Sequence, residues 1–273
     1  MMRRTIPAWS LRAVLAALAV VALPACDVVF QNETAVKATD HWSRTYELAE
    51  TGQLEIVNPN GPVEISVASG RTVDVQAELI AHGPTEELAK AQLKVIKIVE
   101  QTTAEKVRLE VPRVPAEGGF GLGPSSRAAV SFKIAVPKNA VVRVTTRNGP
   151  VQVAGVAGAV TVETSNGPVT CTGLSGPVNA STTNGRIAVE VSAVRPEGIR
   201  LDTTNGAIDL KVPADAKGTI SARWVNGGFH ADGVQAEGET SRRHYDGKLN
   251  GGGPPIELST TNGGIRLRSK EPV

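Results

Sequence analysis

Two cysteines, four histidines and a scatter of carboxylates are the residues of this chain that could do chemistry. Cys26 and Cys171 could act as nucleophiles, and each would have to react as a thiolate with a lowered pKa. The histidines lie at positions 41, 82, 230 and 244, and no two of them have the spacing of zinc ligands. We therefore predict no metal site and no cofactor.

The carboxylates do not form the pair that glycan hydrolysis requires, in which two carboxylic acids flank the scissile bond at a set separation. Five acids of the second half fall at different positions of the repeat described below: Glu163, Glu190, Asp202, Asp209 and Asp232. We predict no catalytic residue and no enzymatic activity. A carbohydrate-active β-helix enzyme remains the least favoured functional alternative.

A repeated Asn-Gly pattern specifies the strands that must position any functional residue of this chain. Its asparagines are Asn60, Asn148, Asn166, Asn184, Asn205, Asn226 and Asn262, and most are preceded by Thr-x. Apolar residues stand six and four positions before each asparagine and three and five positions after it. Each arm therefore alternates with a period of two, which predicts a strand with one buried face.

Two folds are compatible with these arms. In a β-solenoid each Asn-Gly is a corner, because glycine adopts positive φ freely and asparagine tolerates it. In an antiparallel sandwich or meander each Asn-Gly is a hairpin turn. The steps from Asn148 to Asn226 are 18, 18, 21 and 21 residues, and such a period is typical of stacked coils. This favours the solenoid, with the last step of 36 residues taken as two periods and residues 249–253 as a degenerate corner.

The repeat divides the chain. Residues 45–140 are predicted as a β-rich part with a short helix near residues 85–93, since Thr85 is a suitable N-cap and two acids follow it. Residues 141–268 are predicted as the solenoid, and residues 269–273 as a tail. We expect the helix to cover the first coils and Arg266, Arg268 and Lys270 to protect the last strand from further pairing.

The first 25 residues have the features of a signal peptide: a basic start, then an apolar stretch of 11 residues that is too short to span a bilayer. Leu23-Pro24-Ala25-Cys26 resembles the lipobox of bacterial lipoproteins. The resemblance implies a lipid on Cys26, a tether over residues 26–44 and anchoring in a membrane. Asp27 at the next position favours the periplasmic side of the inner membrane, with the outer membrane as the alternative.

Removal of the leader changes the charge. The 29 Lys and Arg lose the three at positions 3, 4 and 12, which leaves 26 against 27 Asp and Glu, a formal charge of −1. The basic isoelectric point therefore belongs mostly to the leader, and we predict no nucleic-acid partner.

Several side chains have predicted structural roles. Cys171 shares an inward column with Val153 and Val189, which predicts a buried, unreactive thiol. Trp224 and Phe229 flank the Asn226 corner and should pack together, with a ligand-stacking platform as the alternative. The asparagines should hydrogen-bond up and down the stack, and the threonines two residues before them should do likewise.

The segment Ala135-Val136-Pro137-Lys138-Asn139-Ala140 through Asn148-Gly149-Pro150-Val151 resembles the bacterial putative-adhesin family of uncharacterised envelope proteins. The closing stretch from Lys248-Leu249-Asn250-Gly251 to Asn262-Gly263 resembles it too, and the likeness spans residues 42–268. It implies a β-solenoid-like fold outside the cytoplasm and no known catalytic residues.

The leading hypothesis is a non-enzymatic, lipid-anchored envelope protein whose repetitive β surface contacts envelope proteins or glycans. A periplasmic sensory or regulatory domain of an envelope-stress system is the second hypothesis. The oligomeric state is left open.

Overall fold

The computed structural model describes residues 36–113 and 128–270. Within these residues the chain forms nineteen strands and one helix, and the period-two arms of the repeat are among the strands. The strands are β1 (Val36–Glu47), β2 (Gln53–Asn60), β3 (Val63–Val67), β4 (Thr72–Gly83), β5 (Val99–Thr102), β6 (Lys106–Glu110), β7 (Ala128–Val136), β8 (Val141–Asn148), β9 (Val151–Ala154), β10 (Val160–Asn166), β11 (Val169–Leu174), β12 (Val178–Asn184), β13 (Ile187–Val191), β14 (Ile199–Asn205), β15 (Ile208–Val212), β16 (Gly218–Asp232), β17 (Ala236–Thr240), β18 (His244–Leu249) and β19 (Pro255–Ser269).

The helix, α1, spans Glu86–Val95 and begins where the sequence predicts it. The Thr85 hydroxyl accepts a hydrogen bond from the Leu88 N–H at 3.3 Å, which satisfies one of the free donors of the first turn. Ala89 is the buried residue of α1, and the helix packs on β4 and β1. It therefore lies on the antiparallel strands β4 and β1 at the N-terminal end of the fold, whereas the sequence predicts that it covers the first Asn-Gly coils.

The strands form two walls of stacked coils. The leading wall contains the arms before each asparagine, ordered β5-β6-β2-β8-β10-β12-β14-β19-β16-β18-β17. The trailing wall contains the arms after it, ordered β1-β4-β7-β3-β9-β11-β13-β15-β19-β16. β16 and β19 pass through the corner and belong to both walls. Successive coils pair in parallel, so the β-solenoid is confirmed and the antiparallel sandwich is wrong.

The order of coils in space differs from their order in the chain at one place. β19 pairs in parallel with β14 and β15 on one side and with β16 on the other. The Asn262 coil therefore lies between those of Asn205 and Asn226, although it follows both in sequence. β17 and β18 form an antiparallel hairpin on β16.

Residues 249–253 are consequently not a coil corner, and the reading of the 36-residue step as two periods is wrong. Asn250 lies in a turn with φ 48°, and its side-chain N–H groups donate to the carbonyls of Ala214 (2.9 Å) and Ala216 (2.7 Å). The expectation that Arg266, Arg268 and Lys270 protect a final strand is also wrong, because β19 has strands on both sides. The hairpin of β17 and β18 occupies that end of the leading wall.

The core consists of the inward columns between the walls. In the Asn184 coil these are Val178, Ala180, Ile187 and Val189, all buried. Corresponding residues stack on them in the coils on either side, so each coil buries its apolar face against its neighbours. Phe132 of β7 is fully buried and belongs to the wider core at the N-terminal end.

Close packing explains the glycine of each corner better than conformation does. Gly149 and Gly167 have positive φ, as predicted, but Gly206 is not among the positive-φ glycines. A Cβ on Gly206 would lie 1.9 Å from the Gly185 carbonyl oxygen, and a Cβ on Gly167 would lie 2.1 Å from that of Gly149. The carbonyl of one coil thus occupies the place of a side chain in the next, and only glycine fits.

We predict that Gly206→Ala lowers the free energy of unfolding by more than about 3 kcal/mol, because backbone atoms must move to admit the methyl group. The urea unfolding midpoint measures this change. Gly228→Ala is the control, since a Cβ there would meet no heavy atom within 4 Å. Equal midpoints for Gly206→Ala and wild type would show that the corner tolerates a side chain.

Candidate functional site

The corner asparagines form a hydrogen-bonded ladder along the outside of the stack. Each side-chain N–H donates to the side-chain oxygen of the neighbouring coil at 2.7–2.9 Å. We call this set the asparagine ladder, and its order is Asn148, Asn166, Asn184, Asn205, Asn262 and Asn226. The bonds stay within the fold, so the ladder is structural chemistry and not a ligand site.

Asn60 ends the ladder differently. It lies in register with Asn148, but its side-chain N–H donates to the Ala128 carbonyl at 2.7 Å. Asn58 stands at the threonine position of the same coil and donates to the Val130 carbonyl at 2.8 Å. Both amides thus bind β7, because the next strand on that side is β7 and not another Asn-Gly coil. The sequence of a single repeat does not predict these two hydrogen bonds to β7.

The threonines do not bond to one another, and that part of the prediction is wrong. Thr182 donates to the Gly167 carbonyl at 3.3 Å, Thr203 to that of Gly185 at 3.0 Å, and Thr260 to that of Gly206 at 3.0 Å. In these three coils threonine therefore bonds to the glycine carbonyl that is packed against the neighbouring coil, whereas the buried Thr146 and Thr164 hydroxyls have no hydrogen-bond partner among the described residues. In this way the Thr, Asn and Gly of the motif all serve one corner.

We predict that Asn184→Ala costs about 1–3 kcal/mol, because it removes two hydrogen bonds worth about 0.5–1.5 kcal/mol each. Asn226→Ala, at the end of the ladder, should cost about half as much, since Asn226 only donates to Asn262 within it. Urea midpoints of the two variants test the ratio. Equal or larger loss in Asn226→Ala would contradict a contribution from both bonds.

Cys171 lies where the inward column places it, fully buried in the core. Burial raises the pKa of the Cys171 thiol to about 12. The neutral thiol is a poor nucleophile and here packs as a small apolar side chain. Cys171 is therefore part of the core and not a catalytic residue.

A thiol reagent should fail to modify Cys171 in the native protein at about pH 8 and should modify it after unfolding, because the thiol is both protonated and inaccessible. A Cys26→Ser variant leaves Cys171 as the single thiol of the two in the sequence. Absorbance of the released chromophore, with and without concentrated guanidinium chloride, is the measurement. Stoichiometric modification of the native variant would refute this.

The aromatic side chains near the Asn226 corner pair differently from the prediction. Phe229 stacks on Tyr245, with ring centroids 4.5 Å apart and planes at 15°. Trp224 is buried, and its backbone N–H donates to the Arg243 carbonyl at 3.0 Å. Tyr245 lies on the hairpin strand β18, which the Asn-Gly repeat pattern does not predict. The rings cover the end of the core and do not form an open stacking platform.

The outer face of the trailing wall carries two carboxylates beneath cations. Asp209 lies 2.5 Å from the Arg186 guanidinium and 3.2 Å from that of Arg268. Glu190 lies 2.9 Å from Lys270 and 4.0 Å from Lys211. Each carboxylate is therefore held between two cations of neighbouring strands or of the adjacent corner.

A second network lies on the outer face of the leading wall. Glu55 forms ion pairs with Arg108 and, at 2.7 Å, with Lys106. The hydrogen bond from Lys106, together with the charges of Arg108, Lys106 and Arg143, holds the pKa of the Glu55 carboxyl below its usual range. Arg108 also binds Glu110 at 2.8 Å. Glu55 is therefore an ionised partner of cations and is not a candidate for general acid catalysis.

A cleft of about 740 Å³ lies beside this network, lined by residues that include Asn58, Thr146, Arg147 and Ser165. Its acid, Glu110, is the partner of Arg108. The Asn58 side-chain oxygen and the Thr146 hydroxyl have no hydrogen-bond partner, but both atoms are shielded from solvent and so from a ligand. The cleft therefore offers no pair of groups for acid–base chemistry.

The histidines occupy separate places. His41 and His230 are exposed, and the His244 ring contacts Ser241 and Asp246. No group of three or more His, Cys, Asp or Glu that could hold a metal ion is found within residues 36–113 and 128–270. Cys26 lies outside the described residues, and so do the predicted signal peptide and residues 26–35 of the predicted tether. Residues 36–44 of that segment lie in strand β1, which pairs antiparallel with β4, so they belong to the fold and are not a tether. The helix of the described part is not long and apolar enough to cross a membrane.

The corner motif and the stacked walls agree with a family known from sequence. The sequence model of the family described as Toastrack DUF4097 matches residues 49–268. The chain belongs to this Toastrack family. The resemblance found in the sequence and the β-solenoid fold are thereby confirmed together.

Solved structures that are similar to this Toastrack chain have low sequence identity to it. A "putative cell adhesion protein" of Clostridium sporogenes is 15% identical, with a TM-score of 0.49 over 85% of this chain and 100% of its own. A "putative adhesin" of Bacteroides fragilis is 12% identical, with a TM-score of 0.37 over 85% of this chain and 97% of its own. No match is found among curated proteins.

Proposed function

We propose that this Toastrack protein is a non-enzymatic binding protein of the cell envelope, held to a membrane by a lipid on Cys26. The observation that supports it best is the in-register stack of seven Asn-Gly coils. Outward residues of successive coils stand in straight rows at the strand spacing of about 4.8 Å. A rigid, repeating surface of this kind suits many weak contacts with an extended partner.

The rows of the leading wall are polar and accessible. The position three residues before each asparagine holds Thr145, Glu163, Ser181, Asp202 and Ser259 in neighbouring coils. Because the backbone is fixed by hydrogen bonds on both sides, little conformational entropy is lost when such a surface binds. Once one weak contact has formed, the effective concentration of the partner at the next row is high, so repeated contacts raise the overall affinity.

The anchor is supported by the sequence and by the place where the fold begins. β1 starts at Val36, ten residues after Cys26. Ten residues span at most about 36 Å, so a lipid on Cys26 would keep the stack close to the membrane surface. Envelope proteins and glycans are the partners within reach, on the periplasmic side of the inner membrane or at the outer membrane.

Labelling cells with a palmitate analogue tests the anchor. We expect wild type and Cys171→Ala to carry the label and to sediment with membranes, and Cys26→Ala to do neither, because Cys26 is the residue that the lipobox selects. Cys171→Ala is the matched control, since it removes the other cysteine of the chain. Label retained by Cys26→Ala would end the proposal of a lipid on this residue.

Binding itself needs a separate measurement. Cross-linking of the anchored protein in intact cells should recover envelope proteins or glycans, and a deletion strain should have altered surface properties. Recovery of no envelope component together with an unchanged surface would count against a binding role, whatever the labelling shows.

A further inference from the structure

The outer face of the trailing wall has a basic end whose purpose the fold does not explain. Arg266 and Arg268 lie on β19, and Lys270 follows it directly, with its N–H donating to the Val212 carbonyl at 2.7 Å. Side chains two residues apart on a strand share a face and are about 7 Å apart. We call these three residues the basic row. Since β19 lies inside the stack, the row does not serve to protect an exposed strand edge.

Two more cations extend the row onto neighbouring strands. Lys211 of β15 lies opposite Arg268, and Arg186 precedes β13 at the same corner. Together the five cations and the carboxylates Asp209 and Glu190 carry a formal charge of +3. Asp232, exposed on β16, borders this surface and lowers the charge to +2 when it is included. The whole chain without its leader has a formal charge of −1, so this end is distinctly basic.

The cations stand above the acids. The Asp209 and Glu190 side chains are 6% and 25% exposed, whereas those of Arg186, Lys211, Arg268 and Lys270 are 57%, 45%, 39% and 33% exposed. Arg266 is exposed and makes no ion pair with any of the described residues. A partner that approaches this face therefore meets guanidinium and ammonium groups first. Glu190 is partly exposed, so its pairs with Lys211 and Lys270 stabilise the protein by only about 0–1 kcal/mol, and these two cations can bind another anion at little cost. Arg186 and Arg268 also hold the buried Asp209.

The charge along the rest of the face limits the shape of the partner. The other end of the trailing wall presents Glu64, Asp74 and Glu78, with Lys133 opposite Glu64 and Lys37 paired with Glu78. An anionic membrane lying flat on this wall would meet those acids as well as the basic row. A narrow chain that crosses only the basic end avoids them. The cations also lack interleaved aromatic side chains, which single-stranded nucleic acids use for stacking.

We infer that the basic row binds an acidic polysaccharide of the envelope, a linear chain that carries carboxylates on successive sugars. The carboxylates pair with Arg266, Arg268 and Lys270 along β19, and Arg186 and Lys211 bind from the side. The inference rests on the envelope location proposed above, because it requires such a glycan within reach. It adds a partner class and a surface to that proposal.

Fluorescent polygalacturonate is the probe, and the full chain in detergent is the protein. Replacing Arg266, Arg268 and Lys270 together by Gln should weaken binding by roughly tenfold or more at moderate salt. The salt dependence of the affinity should become shallower at the same time, because fewer counterions are released. Arg143→Gln, Arg147→Gln and Arg223→Gln together are the control, since they remove the same charge from exposed positions of the leading wall. That control should bind within about twofold of wild type if long-range charge is screened.

Arg266→Gln alone keeps the test valid if the triple variant is unstable. Arg266 makes no ion pair within the described part of the chain, so its loss should leave the unfolding midpoint unchanged. It should weaken binding several-fold. Equal affinity of wild type and both row variants, equal loss in the control, or equal binding of neutral dextran would each overturn the inference. Tighter, row-dependent binding to phosphatidylglycerol vesicles would overturn it in favour of a membrane. Any of these results leaves the palmitate labelling and the cross-linking to decide the proposed function on their own.

Discussion

The contact between glycine corners of successive coils is the constraint on which the rest of the structure depends. The Gly185 carbonyl lies where a Gly206 side chain would stand, and Thr203 of the same coil as Gly206 donates a hydrogen bond to that carbonyl. This contact fixes the register of both walls, because a slip of one residue would bring a side chain against the carbonyl and turn every inward residue outward. The asparagine ladder then adds one hydrogen bond per step on the outside.

The same constraint divides the molecule between scaffold and surface. Inward columns of Val, Ile, Leu and Ala and the corner triplet are committed to stacking, and Cys171 is one of these core residues. Variation is left to the outward rows and to the ends of the stack. The acids of the ion-paired networks, such as Asp209 and Glu55, are bound by cations on the outer faces of the walls.

The ends show how a solenoid stops. At one end Asn58 and Asn60 turn to the β7 carbonyls, and β4, β1 and α1 extend the fold with antiparallel pairing. At the other end the β17–β18 hairpin pairs with β16, and Tyr245 stacks on Phe229 over the core. Antiparallel strands and bulky rings thus replace the parallel coil, which limits the addition of further coils.

The sequence by itself determined the unit: the alternating arms, the Asn-Gly corners, the inward columns, the helix after Thr85 and the burial of Cys171. These follow from local periodicity and capping, which neighbouring residues encode. Only the tertiary structure decided the order of the coils, the place of the basic row inside the stack, the partner of Phe229 and the acceptors of the threonines. The physical reason is that all coils have the same corner and the same columns, so β19 fits between β14 and β16 as well as at the end. Which coil becomes its neighbour depends on contacts distant in sequence, and on a hairpin that lacks the repeat.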